Sequence, residues 1–133
     1  MSSAVQNVEV VRSAMTAWNA GNMEQVRALL DPAIVLRPPP GWPEPGPYVG
    51  VDAAMREWEQ LREVWKAEAV EPISKPETVG DHVLVRARWH TAGTGAKATM
   101  EMTIVYKLRD GRIVLNEHFW DHVAAVNAVR LEA

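Results

Sequence analysis

The sequence contains no cysteine, which excludes disulfide bonds, thiol nucleophiles and thiolate metal ligands. No apolar stretch approaches the length of a membrane-spanning helix. Lys and Arg form no cluster, and the formal net charge of -3 argues against a nucleic-acid partner, because binding to phosphates needs grouped cations. The start MSSAVQNVEV lacks the basic and apolar regions of a signal peptide. We therefore expect a cytoplasmic protein that contacts neither nucleic acid nor membrane.

The composition is that of a globular chain, with 47% apolar and 23% charged residues, and we expect one domain over residues 1–133. Phe occurs once and Tyr twice, whereas Trp occurs six times, at positions 18, 42, 58, 65, 89 and 120. Two interpretations of this bias stay open. The Trp side chains either fill the hydrophobic core or line a wide cavity suited to a flat or cyclic apolar ligand.

The first half of the chain has helical periodicity. Ser3 and Gln6 have the spacing of a capping box, and Val8, Val11, Met15 and Trp18 then fall on one helical face. Gly21 ends this helix, and Asn22 can cap a second, shorter one. AIVLR (33–37) is a predicted strand, and the proline-rich segment 38–50 is a predicted stiff loop. Asp52 can cap a third helix, with Met55, Trp58, Leu61 and Trp65 on one face and a solvated acidic and basic face opposite.

From about residue 70 the period changes to two, which is typical of strands. VEPIS (70–74), residues 83–90, residues 100–108 and residues 113–120 are predicted strands, and Asp110-Gly111 is a predicted hairpin turn. Valines spaced three apart after Asp121 predict a closing helix. Short connections between successive strands indicate an antiparallel sheet, and the fold class is α+β.

Three segments, AWNAGNMEQVRALLDPAIVLRPP, PYVGVDAAMREW and YKLRDGRIVLNEHFWD, resemble the SnoaL-like polyketide-cyclase family. That family belongs to the nuclear transport factor 2-like superfamily, together with ketosteroid isomerases and limonene epoxide hydrolases. The resemblance covers nearly the whole chain. It implies a curved antiparallel sheet wrapped on the N-terminal helix, forming a cone with an internal apolar pocket. It also implies a homodimer through the outer sheet face, where Arg86, Arg88 and His90 lie.

The catalytic residues of these relatives are mostly missing here. The isomerases' tyrosine, catalytic base and oxyanion-hole aspartate correspond to Ala14, Arg37 and a position near Ile104, which disfavours their reaction. Of the groups that the epoxide hydrolases use, the second aspartate alone has a titratable counterpart, and it is His118.

The segment EHFWDH (117–122) contains this histidine. Alternation places Asn116, His118 and Trp120 on one strand face, which the resemblance puts inside the cone. Asp121 is predicted to cap the closing helix, and His122 to be an exposed residue of its first turn. A metal site would need His118, Asp121 and His122 to converge, and strand geometry separates them, so we expect no metal.

His118 is either a general base in an apolar pocket or a core histidine bonded to a backbone carbonyl. Arg37 is its predicted partner at the pocket mouth, holding an oxyanion, with an exposed salt bridge as the alternative. Trp42 and Tyr48 on the proline loop either form a lid or cover the core. The predicted ligand-binding residues are Met15, Trp18, Tyr48, Met55, Trp58, Trp89, Met100, Met102, Ile104, Asn116 and Trp120.

These observations favour a cofactor-free enzyme of the cyclase, isomerase or dehydratase kind, acting on a small, flat, hydrophobic molecule such as a cyclic, polyketide-like or steroid-like compound. A ligand-binding protein without chemistry is the alternative from a different functional class. A partner-binding module is the third option, which a large exposed apolar patch outside the cone would support.

Overall fold

The computed structural model describes residues 3–64, 67–91 and 98–132. The helices are α1 (Ala4–Asn19), α2 (Met23–Ala28), α3 (Val51–Val64) and α4 (His122–Glu132). The strands are β1 (Leu30–Arg37), β2 (Tyr48–Val49), β3 (Ala67–Pro72), β4 (Glu77–Val79), β5 (His82–Thr91), β6 (Ala98–Arg109) and β7 (Arg112–Phe119). The predicted α+β class is confirmed, and the sheet is open and curved.

The amino-terminal helices begin and end where the sequence indicates. The Ser3 hydroxyl accepts from the Gln6 backbone N–H at 3.1 Å and the Gln6 side chain accepts from the Ser3 N–H at 3.2 Å, which completes the capping box. Gly21 follows α1 with φ of 73°, and the Asn22 side chain caps α2. Asn19 then exchanges two hydrogen bonds with the Val70 backbone, of 2.8 and 3.0 Å, which joins the end of α1 to β3.

The sheet has the order β2-β1-β7-β6-β5-β3, with β4 paired to β5. The hairpins are antiparallel, and the turn between β6 and β7 places Asp110 at φ 52° and Gly111 at φ 78°, as a primed two-residue turn requires. β1 pairs with β7 in parallel, so the expectation of a purely antiparallel sheet needs a correction. The two strands are far apart in sequence, and nothing in the local pattern shows that they meet.

The main core lies between the concave face of the sheet and helices α1 and α3. Val11, Met15 and Trp18 of α1 and Trp58 and Leu61 of α3 are buried there, as their spacing predicts, whereas Trp65 lies outside the described residues. Asp52 lies in the first turn of α3, with its carboxylate bonded to Arg27, and is not the cap residue.

A second, smaller core lies on the opposite face of the sheet. Leu84 of β5 and Val105 of β6 are buried there against Ala125 and Val129 of α4. These strands therefore bury apolar side chains on both faces, which explains why the apolar/polar alternation in β5 and β6 is incomplete. α4 covers part of the outer face that the resemblance assigns to a dimer contact. Among the described residues no helix is long and apolar enough to span a membrane.

Candidate functional site

The cone encloses a cavity of about 50 Å³ between α1, α3 and the sheet. Its lining is mainly apolar and contains several of the predicted ligand-binding residues. Ala14, Met15, Trp18, Val26, Leu30, Trp58, Val70, Trp89, Ile104, Tyr106, Ile113, Asn116 and His118 line it. Trp18, Trp58 and Trp89 therefore line one cavity together with His118 and Asn116, whereas Trp120, Met100 and Met102, predicted to share it, do not line it.

The cavity is smaller than the Trp content led us to expect. Drug-sized ligands occupy pockets of about 300–1,000 Å³, several times this volume. The rings of Trp18 and Trp58 pack edge to face with centroids 6.1 Å apart, and Trp89 lies 6.2 Å from Trp18. The interpretation of Trp as core bulk therefore describes much of the indole surface, which packs against other indoles and leaves only a small space.

Several polar atoms at this cavity have no protein partner. The Nε1 donors of Trp18 and Trp89 and the Oδ1 acceptor of Asn116 are buried without a hydrogen bond within the described part of the chain. Burial also raises the pKa of the Tyr106 hydroxyl on the same wall. A buried polar group without a partner costs about 1–3 kcal/mol, so such a cluster at one cavity indicates that a ligand or water completes it.

His118 is 6% exposed and borders this cavity. Its Nδ1 lies 3.1 Å from the backbone oxygen of Arg37, and since a carbonyl only accepts, Nδ1 carries the proton and donates. Nε2 is then the nitrogen with the lone pair. The ring meets Trp89 edge to face, with 5.8 Å between centroids. Burial lowers the pKa of His118 from 6.5 to about 4, although the bond to the Arg37 carbonyl opposes this effect, so the imidazole is neutral at physiological pH.

Arg37 contributes its carbonyl to the site and not its guanidinium. The Arg37 side chain is half exposed on the outer face of β1, with its guanidinium 3.9 Å from the Glu117 carboxylate. Leu36 on the same strand points inward, so alternation sends Arg37 outward. Arg37 does not line the main cavity, and the salt-bridge alternative describes its guanidinium. With Glu117 and His118, Arg37 lines a separate pocket of about 240 Å³ at the proline loop.

A second chamber of about 20 Å³ lies beneath the proline loop. Trp58, Trp89 and His118 line both this chamber and the main cavity and thus form the partition between them. Met102, also a predicted ligand-binding residue, lines this chamber, as does Trp42 of the loop.

Glu57 lines the second chamber too and is absent from the predicted site residues. The run of charged residues in α3 predicts a solvated Glu57, but it is 6% exposed, and its Oε2 has no partner within the described residues. Its neighbours in the helical pattern, Ala54 at i-3 and Leu61 at i+4, are both buried. That spacing was the signal that Glu57 belongs to the buried stripe.

Four predicted ligand-binding residues lie elsewhere. Met55 is a core residue that borders neither space, and Met100 is only partly buried against the same core. Tyr48 donates to the Glu44 carboxylate at 3.1 Å at the base of the proline loop, and burial, together with Glu57 and Glu44, raises the pKa of its hydroxyl. Trp120 is 45% exposed, because it follows the last residue of β7, and its Nε1 donates to the Pro40 carbonyl at 2.7 Å.

Asp121 and His122 are the last two residues of EHFWDH. The prediction for Asp121 is confirmed, and the prediction for His122 is wrong. Asp121 accepts from the Val123 and Ala124 N–H groups, both at 3.3 Å, and caps α4 as predicted. His122 is wrongly predicted as exposed. Its Nδ1 lies 2.9 Å from the Thr103 hydroxyl and its Nε2 3.2 Å from the Glu77 carboxylate, because the start of α4 packs on the sheet. Within the described residues no group of three or more acidic or histidine side chains is arranged to hold a metal.

Comparison with known proteins shows the family. The model of the SnoaL-like domain matches residues 11–116, most of the chain. The chain belongs to the SnoaL-like family. No curated protein matches the sequence significantly.

Solved structures agree on the fold of this SnoaL-like protein. Bal32a, from a soil-derived mobile gene cassette, is 20% identical over 86% of this chain and 88% of its own, with a TM-score of 0.79. A proposed polyketide cyclase from Sinorhizobium meliloti is 24% identical over 83% and 93%, with a TM-score of 0.69. A protein with a ketosteroid isomerase-like fold from Catenulispora acidiphila, in complex with trimethylamine, is 15% identical over 86% of each chain, with a TM-score of 0.73.

Proposed function

We propose that this SnoaL-like protein binds a small, uncharged carbonyl compound in the cone and moves a proton on it with His118. The reaction class is that of an isomerase, cyclase or dehydratase, and the chemistry uses protein groups without a cofactor. The ligand is a flat cyclic or short open-chain molecule of a few non-hydrogen atoms, because the cavity measures about 50 Å³.

The main support for this proposal is that residues lining the cavity have buried polar atoms without a hydrogen-bond partner among the described residues. Two indole N–H donors, from Trp18 and Trp89, are buried without acceptors. A carbonyl oxygen has two lone pairs and can accept from both. If a proton leaves the carbon next to that carbonyl, negative charge develops on the oxygen, where fixed N–H donors in a dry site stabilise it most. Asn116 Oδ1 can accept from a hydroxyl or amine elsewhere on the ligand.

His118 has the properties that a general base needs. Its neutral state at physiological pH leaves the Nε2 lone pair available, while Nδ1–H stays bonded to the Arg37 carbonyl. A pKa of about 4 makes it a weak base, but a carboxylate base with a pKa of about 4.6 abstracts such a proton in ketosteroid isomerase. The imidazolium formed would lie beside the enolate, and each charge would stabilise the other in the low-dielectric interior.

The absence of a cation at the cavity favours an uncharged ligand. No Lys or Arg of the described segments lines it. The Arg62 guanidinium lies 4.9 Å from the Trp18 ring centroid and donates to the Trp18 carbonyl at 2.8 Å, outside the lining of the cavity. A carboxylate or phosphate would therefore enter an apolar space without a counter-ion, which is unfavourable.

The test is hydrogen–deuterium exchange at the carbon next to the carbonyl of ketones with three to five carbons, followed by proton NMR in D₂O. Wild-type protein should accelerate exchange, and His118→Gln should lose about a hundredfold or more of that acceleration. His90→Gln is the matched control, because His90 pairs with Glu71 on the outer sheet face. Exchange that is equally fast in His118→Gln would contradict the role of His118.

A non-catalytic binding protein is the second candidate, and the lowered pKa of His118 favours it. Such a group accepts a hydrogen bond at neutral pH without taking the proton. Ketones that bind in the cone without faster exchange in the wild type would support binding alone.

A further inference from the structure

Glu57 is the feature that the proposed function leaves unused. Its carboxylate is buried on α3, and Oε2 faces no hydrogen-bond donor of the described residues. The ion pairs of the described chain include no partner for it. The Tyr48 hydroxyl bonds to the Glu57 carboxylate, but this leaves Oε2 without a donor. A buried carboxylate oxygen without a donor is unfavourable, so the position of Oε2 implies a further group in the adjoining space.

That space is the chamber of about 20 Å³ beneath the proline loop, which Glu57 and His118 both line. The chamber has room for about one water molecule. Glu57 Oε2 and the lone pair of His118 Nε2 are both acceptors, and a water has two O–H donors. In the ligand-free protein one water can therefore donate to both groups, with the apolar rings of Trp58 and Trp89 around it.

Glu57 also lines a second, outer pocket of about 60 Å³. Trp42, Glu44 and the exposed Gln60 line this pocket with it. His118, in turn, lines the main cavity. One path from solvent to ligand therefore runs through the outer pocket, Glu57, the chamber, His118 and the main cavity.

We infer that Glu57 and one water in the chamber form a proton relay that connects His118 with solvent. This inference deepens the proposed function, because a buried imidazole that takes a proton must release it before the next turnover. The ligand C–H proton passes to Nε2 and leaves the electron pair on the enolate. The imidazolium passes the proton to the water, which gives one of its own to Glu57 Oε2. The carboxylic acid then releases it at the outer pocket. A solvent proton returns along the same path to the enolate, so the ligand leaves uncharged and each turnover exchanges one proton with solvent.

Few other charges face this path. Tyr48, which donates to Glu44, lies beside Glu57, and the Tyr106 hydroxyl lines the main cavity with His118. Arg37 and Glu117 pair with each other and, together with His118, line a separate pocket of about 240 Å³ at the proline loop. Glu57 acts through His118, so it is a positioning and relay residue.

A crystal structure at high resolution and neutral pH tests the geometry without any ligand. An ordered water within hydrogen-bond distance of both Glu57 Oε2 and His118 Nε2 is the expected result. An empty chamber, or a Glu57 side chain turned to another partner, would overturn the relay.

NMR titration of the His118 ring tests the electrostatic interaction between Glu57 and His118. Glu57→Gln should lower the pKa of His118 by about 1 unit, because a negative charge that stabilises the imidazolium is lost. Glu59→Gln, a neighbouring exposed glutamate of α3, should leave it unchanged. Equal values in the two variants would overturn the relay. Ketone binding in the cone would survive that outcome, so a failed relay is distinguishable from a failed proposed function.

Discussion

The Nδ1 atom of His118 donates to the backbone carbonyl of Arg37 across 3.1 Å, between two strands that run parallel. This bond fixes the imidazole in one tautomer and orientation and leaves Nε2 as the acceptor. The same pairing sends the Arg37 guanidinium outward. The backbone carbonyl of Arg37, and not its guanidinium, therefore contacts His118.

Acidification should destabilise the fold through His118. Its pKa is about 4 in the folded protein and 6.5 as its ordinary value, so the unfolded chain binds the proton first as the pH falls. The stabilisation is complete above pH 6.5 and is lost down to about pH 4, by about 3 kcal/mol in total. Urea unfolding at pH 7 and pH 4.5 measures this loss. His118→Gln should lack this part of the pH dependence, and an identical dependence in both proteins would contradict the burial argument.

Asn116→Leu should separate stability from binding. The substitution removes a buried acceptor without a partner and keeps the branching of the side chain, and the added methyl volume can enter the cavity, so the ligand-free protein should gain or lose no more than about 1 kcal/mol. Ketone affinity should change only for ligands with a hydroxyl or amine, by about tenfold. Calorimetric titration measures the affinity, and Asn127→Leu on the exposed side of α4 is the control. A collapse of the fold in Asn116→Leu would show that Asn116 is structural.

Arg37→Ala should leave ketone binding unchanged. The guanidinium is half exposed and its pair with Glu117 contributes less than about 1 kcal/mol, as surface pairs do. Arg37 keeps its carbonyl in the variant, so the bond to His118 remains. Binding that weakens tenfold or more would mean that the guanidinium turns inward to the ligand after all.

Asp121→Ala should destabilise the protein by about 1 kcal/mol, because two N–H groups at the start of α4 lose their acceptor. Chemical denaturation measures the change. Glu59→Ala, an exposed substitution within α3, should change the stability by less than about 0.5 kcal/mol.

The homodimer stays a prediction. β5 and β6 carry an ionic cluster on the outer face, in which Arg88 bonds Glu101 at 2.7 Å and lies 3.6 Å from Glu71. We expect sedimentation at high micromolar concentration to give a dimer, and Arg88→Glu to weaken it through repulsion of these two acids. A wild-type monomer under those conditions would contradict the prediction.

Local signals predicted most of the fold. The capping box at Ser3, the Asn22 and Asp121 caps and the Asp110-Gly111 turn each depend on residues within a few positions, and all of them form. The parallel pairing of β1 with β7 could not be read in this way, because it joins segments about 80 residues apart.

The site was predicted less well for a related reason. Alternation correctly placed His118 and Asn116 inward, but Trp120 lies one residue beyond β7, where alternation no longer applies. Glu57 was missed because a glutamate among charged neighbours is usually solvated. The size of the cavity depends on how Trp18, Trp58 and Trp89 pack together, which no one-dimensional pattern encodes.

The most direct measurement of the central claim is the NMR signal of the indole N–H groups during titration with ketones of three to five carbons. The account predicts that the Trp18 and Trp89 signals move as their free donors bond the carbonyl, while the Trp120 signal stays in place, because its N–H already donates to Pro40. Unmoved Trp18 and Trp89 signals at saturating ketone, or an equal shift of all the indoles, would contradict it.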